Sequence, residues 1–130
     1  MIRIAKQIAV FLDNRPGTLA RVCEALQAAD VNILALSILD TMDYAIVRMI
    51  VDKPEQAEAV FGKLQLTPQV RDVVFMDVPN EVGVLGRIAQ QLAEAGINLE
   101  YAYCTASPGQ KVGGLVVRTN DLEATISALS

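Results

Sequence analysis

The sequence Asp13-Asn14-Arg15-Pro16-Gly17-Thr18-Leu19 joins a run of β-type composition to a stretch with helical spacing. Pro16 presets its φ angle for a turn, and Gly17 can adopt backbone angles that other residues avoid. A helix that begins directly after such a turn leaves its first N–H groups without partners inside the helix. The turn is therefore expected to form a small electropositive corner that suits an anion, such as the carboxylate of a small molecule.

The same stretch occurs a second time further along the chain. Asn80-Glu81-Val82-Gly83-Val84-Leu85 opens this second copy, and each matching position lies 66 residues after its counterpart. Seven pairs within residues 14–32 and 80–98 are identical at this offset: Asn14/Asn80, Gly17/Gly83, Leu19/Leu85, Arg21/Arg87, Leu26/Leu92, Ala29/Ala95 and Asn32/Asn98. Self-similarity at a fixed offset is the signature of an internal duplication, so we predict two structural repeats.

Each copy has the order strand, helix, strand, strand, helix, and a closing strand follows only in the first copy. This order predicts an α+β fold of two ferredoxin-like βαββαβ domains in tandem, residues 1–69 and 70–130. Each domain is expected to have an antiparallel sheet with its helices on one face. The final strand of the second domain is missing: either the end has been cut, or the linker Leu66–Val78 serves both halves.

Several local features are also predicted. The strand Asn32–Leu39 is apolar almost throughout, which indicates a strand that is covered on both faces. Asn120 with Glu123 three residues later is typical of a capping box at the start of the last helix. Cys23 and Cys104 are interpreted as buried free thiols.

Composition restricts the class of protein. With 52% hydrophobic and 20% charged residues the chain is expected to be globular. The net charge of −4 argues against nucleic-acid binding, which needs a basic surface. No apolar run reaches the length of a membrane span, so we expect a cytoplasmic protein that does not bind membranes. The chain has no histidine and no metal-ligand cluster, and we predict neither metal nor cofactor.

The turn Asp13–Leu19, followed by Val31-Asn32-Ile33, resembles the ACT domain family of small-molecule regulatory modules. The resemblance covers both copies, although the second has Glu81-Val82-Gly83 where the first has Arg-Pro-Gly. It implies that a small amino acid binds at the junction between neighbouring ACT domains. The ligand-binding positions that it implies are Asn14, Arg15, Pro16, Gly17, Thr18, Leu19, Asn32, Ile33, Asn80, Gly83, Val84, Leu85, Asn98 and Leu99.

The predicted function is that of a non-catalytic regulatory or sensor protein. We expect a metabolic enzyme or regulator as its partner, and homodimers that form through sheet or helix pairing. One alternative is a protein-interaction subunit with degenerate ligand sites; a less favoured one is an acylphosphatase-like enzyme. Two structural alternatives also stay open for the asparagines. Asn14 and Asn80 could act only as turn formers, and Asn32 and Asn98 could only tie a loop through side-chain hydrogen bonds.

Overall fold

A computed structural model describes the whole chain, Met1–Ser130. Six strands and four helices follow one another in the predicted order. Their bounds are β1 Ile2–Asp13, α1 Thr18–Ala28, β2 Ile33–Thr41, β3 Tyr44–Val51, α2 Pro54–Lys63, β4 Gln69–Pro79, α3 Val84–Glu94, β5 Leu99–Thr105, β6 Val112–Thr119 and α4 Leu122–Leu129.

The chain folds into two compact units, Lys6–Arg71 and Met1–Ala5 together with Asp72–Ser130. In the first unit β3 lies between β2 and β1 and is antiparallel to both. In the second unit β6 lies between β5 and β4 and is antiparallel to both. The predicted tandem of ferredoxin-like antiparallel folds is confirmed.

In each unit the helices pack on one face of the strands. The core of the first unit joins alternate residues of β1 and β3 to the apolar stripe of α1 and to Phe61 of α2. The core of the second unit repeats this arrangement with Val74 and Met76 of β4 against Ile88 and Leu92 of α3. Alternate residues of a strand share one face, so this period-two pattern explains why one face of the strands carries both helices.

The place of the missing final strand is filled by the start of the chain. Met1–Ala5 belong to the second unit, where the N–H group of Asp77 donates a hydrogen bond to the carbonyl of Met1 at 2.9 Å. Ile2 packs against the second core. This arrangement is possible because β1 has 12 residues and β4 has 11, so each is long enough to contribute residues to both units.

Three local predictions are wrong. The side chain of Asp121, and not of Asn120, caps α4 by accepting a hydrogen bond from the N–H group of Ala124 at 3.0 Å. Cys104 is exposed, because it lies in the edge strand β5. Within this chain β2 is not covered on both faces.

The exposure of β2 follows from its position at the edge of the sheet. Leu34, Leu36, Ile38 and Leu39 are between 37% and 50% exposed. An edge strand has a strand neighbour on one side only, and its backbone N–H and C=O groups on the other side are free to pair. The strand thus presents a row of aliphatic side chains together with an unpaired backbone edge.

Candidate ligand site

The first corner has the backbone geometry that its sequence predicts. Gly17 is the N-cap of α1 and has a φ angle of 87°, a left-handed conformation that costs other residues free energy. The first backbone bond of the helix runs from the N–H of Arg21 to the carbonyl of Gly17 at 3.0 Å. The N–H groups of Leu19 and Ala20 have no acceptor within the chain. Two amide donors at the positive end of a helix dipole are therefore available to an anion.

The second corner repeats this geometry. Gly83 is the N-cap of α3 and also has a φ angle of 87°. The N–H of Arg87 donates to the carbonyl of Gly83 at 3.0 Å, and the N–H groups of Leu85 and Gly86 have no acceptor within the chain. The duplication has therefore preserved the pair of free donors at both corners.

Asn14 and Asn80 fasten each corner to a neighbouring hairpin. The amide nitrogen of Asn14 donates to a carboxylate oxygen of Asp40 at 2.7 Å. The amide nitrogen of Asn80 donates to the carbonyls of Ser107 and Gln110 at 3.0 and 2.9 Å. These bonds use the amide hydrogens for structure. Neither amide oxygen accepts a hydrogen bond within the chain, so both oxygens could accept one from a ligand ammonium group.

A cavity of about 130 Å³ lies at the second corner, between the start of α3 and the ends of the neighbouring strands. Most of its lining is aliphatic, from Val78, Pro79, Val84, Leu85, Ile88 and Leu115. Asn80 and Glu81 also line it, on the side of the turn. A space of this kind needs about 10–15 Å³ for one water molecule, so the cavity has room for a small organic side chain.

Several residues of this cavity were missed by the sequence analysis. Cys104, Thr105 and Gly113 line it, and none was predicted as a site residue. A Cβ atom on Gly113 would lie 2.3 Å from the carbonyl oxygen of Thr105, so only glycine lets the two strands approach so closely. The Gly113-Gly114 pair in a strand was the available signal, since glycine inside a strand often marks a close approach of backbones.

Asn32 lies at the opposite end of its unit from Asn14. Asn14 contacts Asp40 near the end of β2, whereas Asn32 directly precedes Ile33, the first residue of this 9-residue strand. The separation along the strand is roughly 25–30 Å. The structure therefore does not bring Asn32 and Ile33 to the first corner of the same unit, and Asn98 and Leu99 stand in the same way to the second corner.

The surroundings of Asn32 are open and include both polar and apolar residues. Its backbone N–H donates to a carboxylate oxygen of Asp52 at 2.9 Å, whereas its side chain makes no hydrogen bond within the chain. Nearby, the Lys53 ammonium group donates to the Asp30 carboxylate at 2.9 Å, and this bond lowers the pKa of Asp30 below its ordinary value. The same bond raises the pKa of Lys53. The loop between α1 and β2 is thus held by hydrogen bonds of its backbone and of charged side chains, and not by the Asn32 side chain.

One position of the corner has charges of opposite sign in the two copies. The Arg15 guanidinium group lies 3.0 Å from the Asp13 carboxylate, and both side chains are exposed. At the second corner Glu81 takes the place of Arg15 and lies 4.0 Å from Arg87. These exposed pairs contribute little to stability, but they set the local charge that a ligand meets. No group of three His, Cys, Asp or Glu side chains could hold a metal ion, and no helix is long and apolar enough to cross a membrane.

Comparison with known proteins places this geometry in a family. A family model described as an ACT domain pair matches residues 3–129. The chain belongs to the ACT domain family. This ACT domain pair is similar to the crystal structure of protein BT0572 from Bacteroides thetaiotaomicron, with 31% identity and a TM-score of 0.90 over 98% of this chain and 88% of that chain.

More distant structures share the fold alone. The ligand-free regulatory subunit of aspartate kinase from Thermus thermophilus has 14% identity and a TM-score of 0.72, over 98% of this ACT domain pair and 93% of that chain. A putative C-terminal regulatory domain of aspartate kinase from Porphyromonas gingivalis has 14% identity and a TM-score of 0.64, over 100% and 94% of the two chains. No curated protein matches the sequence significantly.

Proposed function

We propose that this ACT domain pair is a non-catalytic regulatory protein that binds a small amino acid where ACT domains adjoin. The observation that supports the proposal is the recurrence, at both corners, of a left-handed glycine followed by two N–H groups without acceptors. Such groups suit a carboxylate, and the amide oxygens of Asn14 and Asn80 suit an ammonium group. We include Arg15, Pro16 and Thr18, and Val84 in the second copy, in the proposed site because they adjoin these groups in the sequence.

A second copy of the chain would complete the first corner. If the β2 strands of two chains pair in antiparallel fashion, the start of one strand lies beside the end of the other. Asn32 and Ile33 of one copy would then reach the corner that Asn14 and Gly17 form in the other. A pairing of this kind is isologous, and it would cover the exposed aliphatic row of β2. We therefore propose a homodimer in which the ligand bridges two copies.

The partner is proposed from the fold alone. Structural neighbours include regulatory subunits of aspartate kinase, and a metabolic enzyme or regulator is accordingly the partner we propose. A ligand can act on such a partner only through its differential affinity for two arrangements of the domains. An acylphosphatase-like activity has less support, because Arg15 is already paired with Asp13 at 3.0 Å.

Thermal denaturation in the presence of each of the twenty amino acids tests the proposal. A ligand that binds only the folded state stabilises it by about 2.7 kcal/mol at a hundredfold excess over Kd. For a chain of this size such stabilisation raises Tm by roughly 8 °C. At least one small amino acid is expected to give a rise of this order at millimolar concentration.

A pair of variants locates the effect at the first corner. Ala20→Glu places a carboxylate at the third helical position, where its charge repels a ligand carboxylate at the free N–H groups while favouring the helix. Ala20→Gln has the same size without the charge. Ligand affinity is expected to fall about tenfold or more in the first variant and little in the second. Equal affinity in both variants would mean that the carboxylate does not bind at this corner.

The interaction-subunit alternative is favoured by the exposed aliphatic residues of β2. If no amino acid shifts Tm while the chain still forms a dimer, this alternative replaces the ligand-binding one. Light scattering on Ile38→Lys measures whether a charge on β2 prevents dimer formation. Val112→Lys is the control for a general effect of an added surface charge, because Val112 is also an exposed aliphatic residue of a strand. We expect a monomer from the first variant and a dimer from the second; a dimer from both would exclude β2 as the contact.

A further inference from the structure

The cavity at the second corner has no equivalent set of side chains at the first corner. Strand registers make the comparison possible. Leu12 pairs with Ala45 in the first repeat, and its counterpart Val78 pairs with Gly113 in the second. Gly113 therefore stands where the first repeat has Ala45, and because it has no Cβ atom the backbone of Thr105 can approach it closely.

The outer strand shows the same reduction in size. Ile38 pairs with Val47 in the first repeat, and Cys104 pairs with Leu115 in the second. Cys104 thus takes the place of a larger, β-branched residue. Leu115 and Ile88 are almost completely buried, so the space left by the smaller Cys104 side chain is bounded by fixed aliphatic walls.

The lining has also become less polar than the corresponding surface of the first repeat. At equivalent positions three charged or hydroxyl-bearing residues are replaced by apolar ones, and one apolar residue is replaced by a hydroxyl-bearing one: Asp13 by Pro79, Thr18 by Val84 and Asp40 by Ala106, against Leu39 by Thr105. Placing an unpaired hydroxyl or charged group in such a cavity is unfavourable, because it loses its hydrogen bonds to water. The cavity is therefore suited to a hydrocarbon group and poorly suited to a polar one.

The rim of the cavity supplies groups for a zwitterion. The free N–H groups of Leu85 and Gly86 lie in the first turn of α3, and Val84, the first residue of this helix, lines the cavity. Glu81 lines the same space and has a charge opposite to that of Arg15 in the first repeat. An ammonium group is attracted by Glu81 and a carboxylate by the helix start, so the two ends of an amino acid have distinct partners.

We infer that the second corner selects an α-amino acid with a short aliphatic side chain, which occupies the cavity between Cys104, Gly113 and Val84. The inference rests on the proposed function and adds the chemical class of the ligand. It also implies that the two corners differ in specificity, since the first has a bulkier and more polar lining.

A homologous series of ligands measures the side-chain contribution. Each methylene that is removed from water contributes about 0.8 kcal/mol, which corresponds to roughly a fourfold change in affinity. Kd is therefore expected to fall about fourfold per step from alanine to α-aminobutyrate to norvaline. Threonine has nearly the shape of valine, and we expect it to bind at least tenfold more weakly because its hydroxyl would exchange water for a mostly aliphatic lining.

Variants connect the series to the cavity. Cys104→Ile introduces the residue of the first repeat and fills the space, so the fourfold steps should disappear. Cys104→Ala leaves the cavity open, so the steps should persist. Should Cys104→Ile fail to fold, Val84→Thr gives a second test, because it keeps the side-chain volume and makes the lining polar. The ratio of the Kd for threonine to the Kd for valine should then fall about tenfold.

Alkylation of the wild-type thiols, followed by mass spectrometry, reports the location of the ligand. Norvaline is expected to slow the labelling of Cys104 and not that of Cys23, which lies on α1. If no amino acid changes Tm or labelling, both the proposed function and this inference are wrong. If amino acids bind but polar ones are preferred, or if Cys104→Ile retains the fourfold steps, only the inference is overturned.

Discussion

Replacement of Asn80 by alanine should loosen the second corner by an amount that the structure allows us to estimate. The Asn80 side chain donates two hydrogen bonds, to the carbonyls of Ser107 and Gln110 at 3.0 and 2.9 Å. A hydrogen bond between neutral groups contributes about 0.5–1.5 kcal/mol to stability. Because Asn80 is exposed and water can replace the lost donors, we expect the free energy of unfolding to fall by about 1–2 kcal/mol.

Asn98→Ala is the matched control for this measurement. Asn98 is also an exposed asparagine of the second repeat, but its side chain makes no hydrogen bond within the chain. Its replacement is expected to change stability by less than about 0.5 kcal/mol. Urea denaturation followed by circular dichroism measures both variants, and in thermal scans Asn80→Ala should lower Tm by roughly 3–6 °C.

Asn80→Asp adds a second comparison in which pH is the variable. The carboxylate cannot donate to the two carbonyls and faces their oxygens, so the pKa of the introduced acid should be raised in the folded state. The part of its destabilising effect that depends on ionisation is then absent well below the reference pKa of about 3.9 and grows as pH rises from that value towards the raised folded-state pKa. If Asn80→Ala is as stable as Asn98→Ala, the hydrogen bonds do not fasten the corner and this reasoning is refuted.

Two further predictions concern the close approach of β5 to β6 and the loop at the end of α1. Gly113→Ala should lower the free energy of unfolding by about 1–3 kcal/mol, because its Cβ would lie 2.3 Å from the Thr105 carbonyl oxygen. Gly62→Ala is the control, since Gly62 lies in α2 and has nothing within 4 Å of the added Cβ, and it should raise the free energy of unfolding by about 0.5–1 kcal/mol. Calorimetry measures both variants. Lys53→Met should raise the pKa of Asp30 toward its ordinary value in an NMR titration, since the Lys53 hydrogen bond lowers it. The contribution of the pair to stability is present above the unfolded pKa of Asp and is lost as pH falls through the lowered folded pKa of Asp30. An unchanged Asp30 pKa in Lys53→Met would contradict the pairing.

Sequence alone predicted the repeats, the order of elements and the conformation of the turns. The reason is that these features depend on local chemistry: Gly17 and Gly83 have the positive φ angles that a glycine-bent helix start requires. The apolar stripes of α1 and α3 likewise follow from their own spacing.

The parts that the sequence did not reveal depend on long-range pairing. Met1–Ala5 serve the second unit although they precede the first repeat, and no local pattern indicates a strand partner so far along the chain. The separation of Asn32 from Asn14 likewise becomes visible only when the strand directions are known.

The cavity at the second corner was missed for a related reason. The loop between β5 and β6 is longer than that between β2 and β3, so Gly113 corresponds to Ala45 only once the strand registers are known. At the fixed offset of the repeat it would be compared with Val47. The Gly113-Gly114 pair signals a close approach of backbones, but the equivalence of Gly113 to Ala45 follows only from the registers.

The most direct test of amino-acid binding at the corners is an NMR titration that follows backbone amides. Addition of the amino acid that gives the largest rise in Tm should shift the N–H resonances of Leu19 and Ala20, of Leu85 and Gly86, or of both pairs, more than any others in the chain. Each of these groups lacks an acceptor in the free protein, so a new hydrogen bond to a carboxylate would change its environment strongly. Resonances at both corners that stay unchanged at saturating ligand would contradict the account.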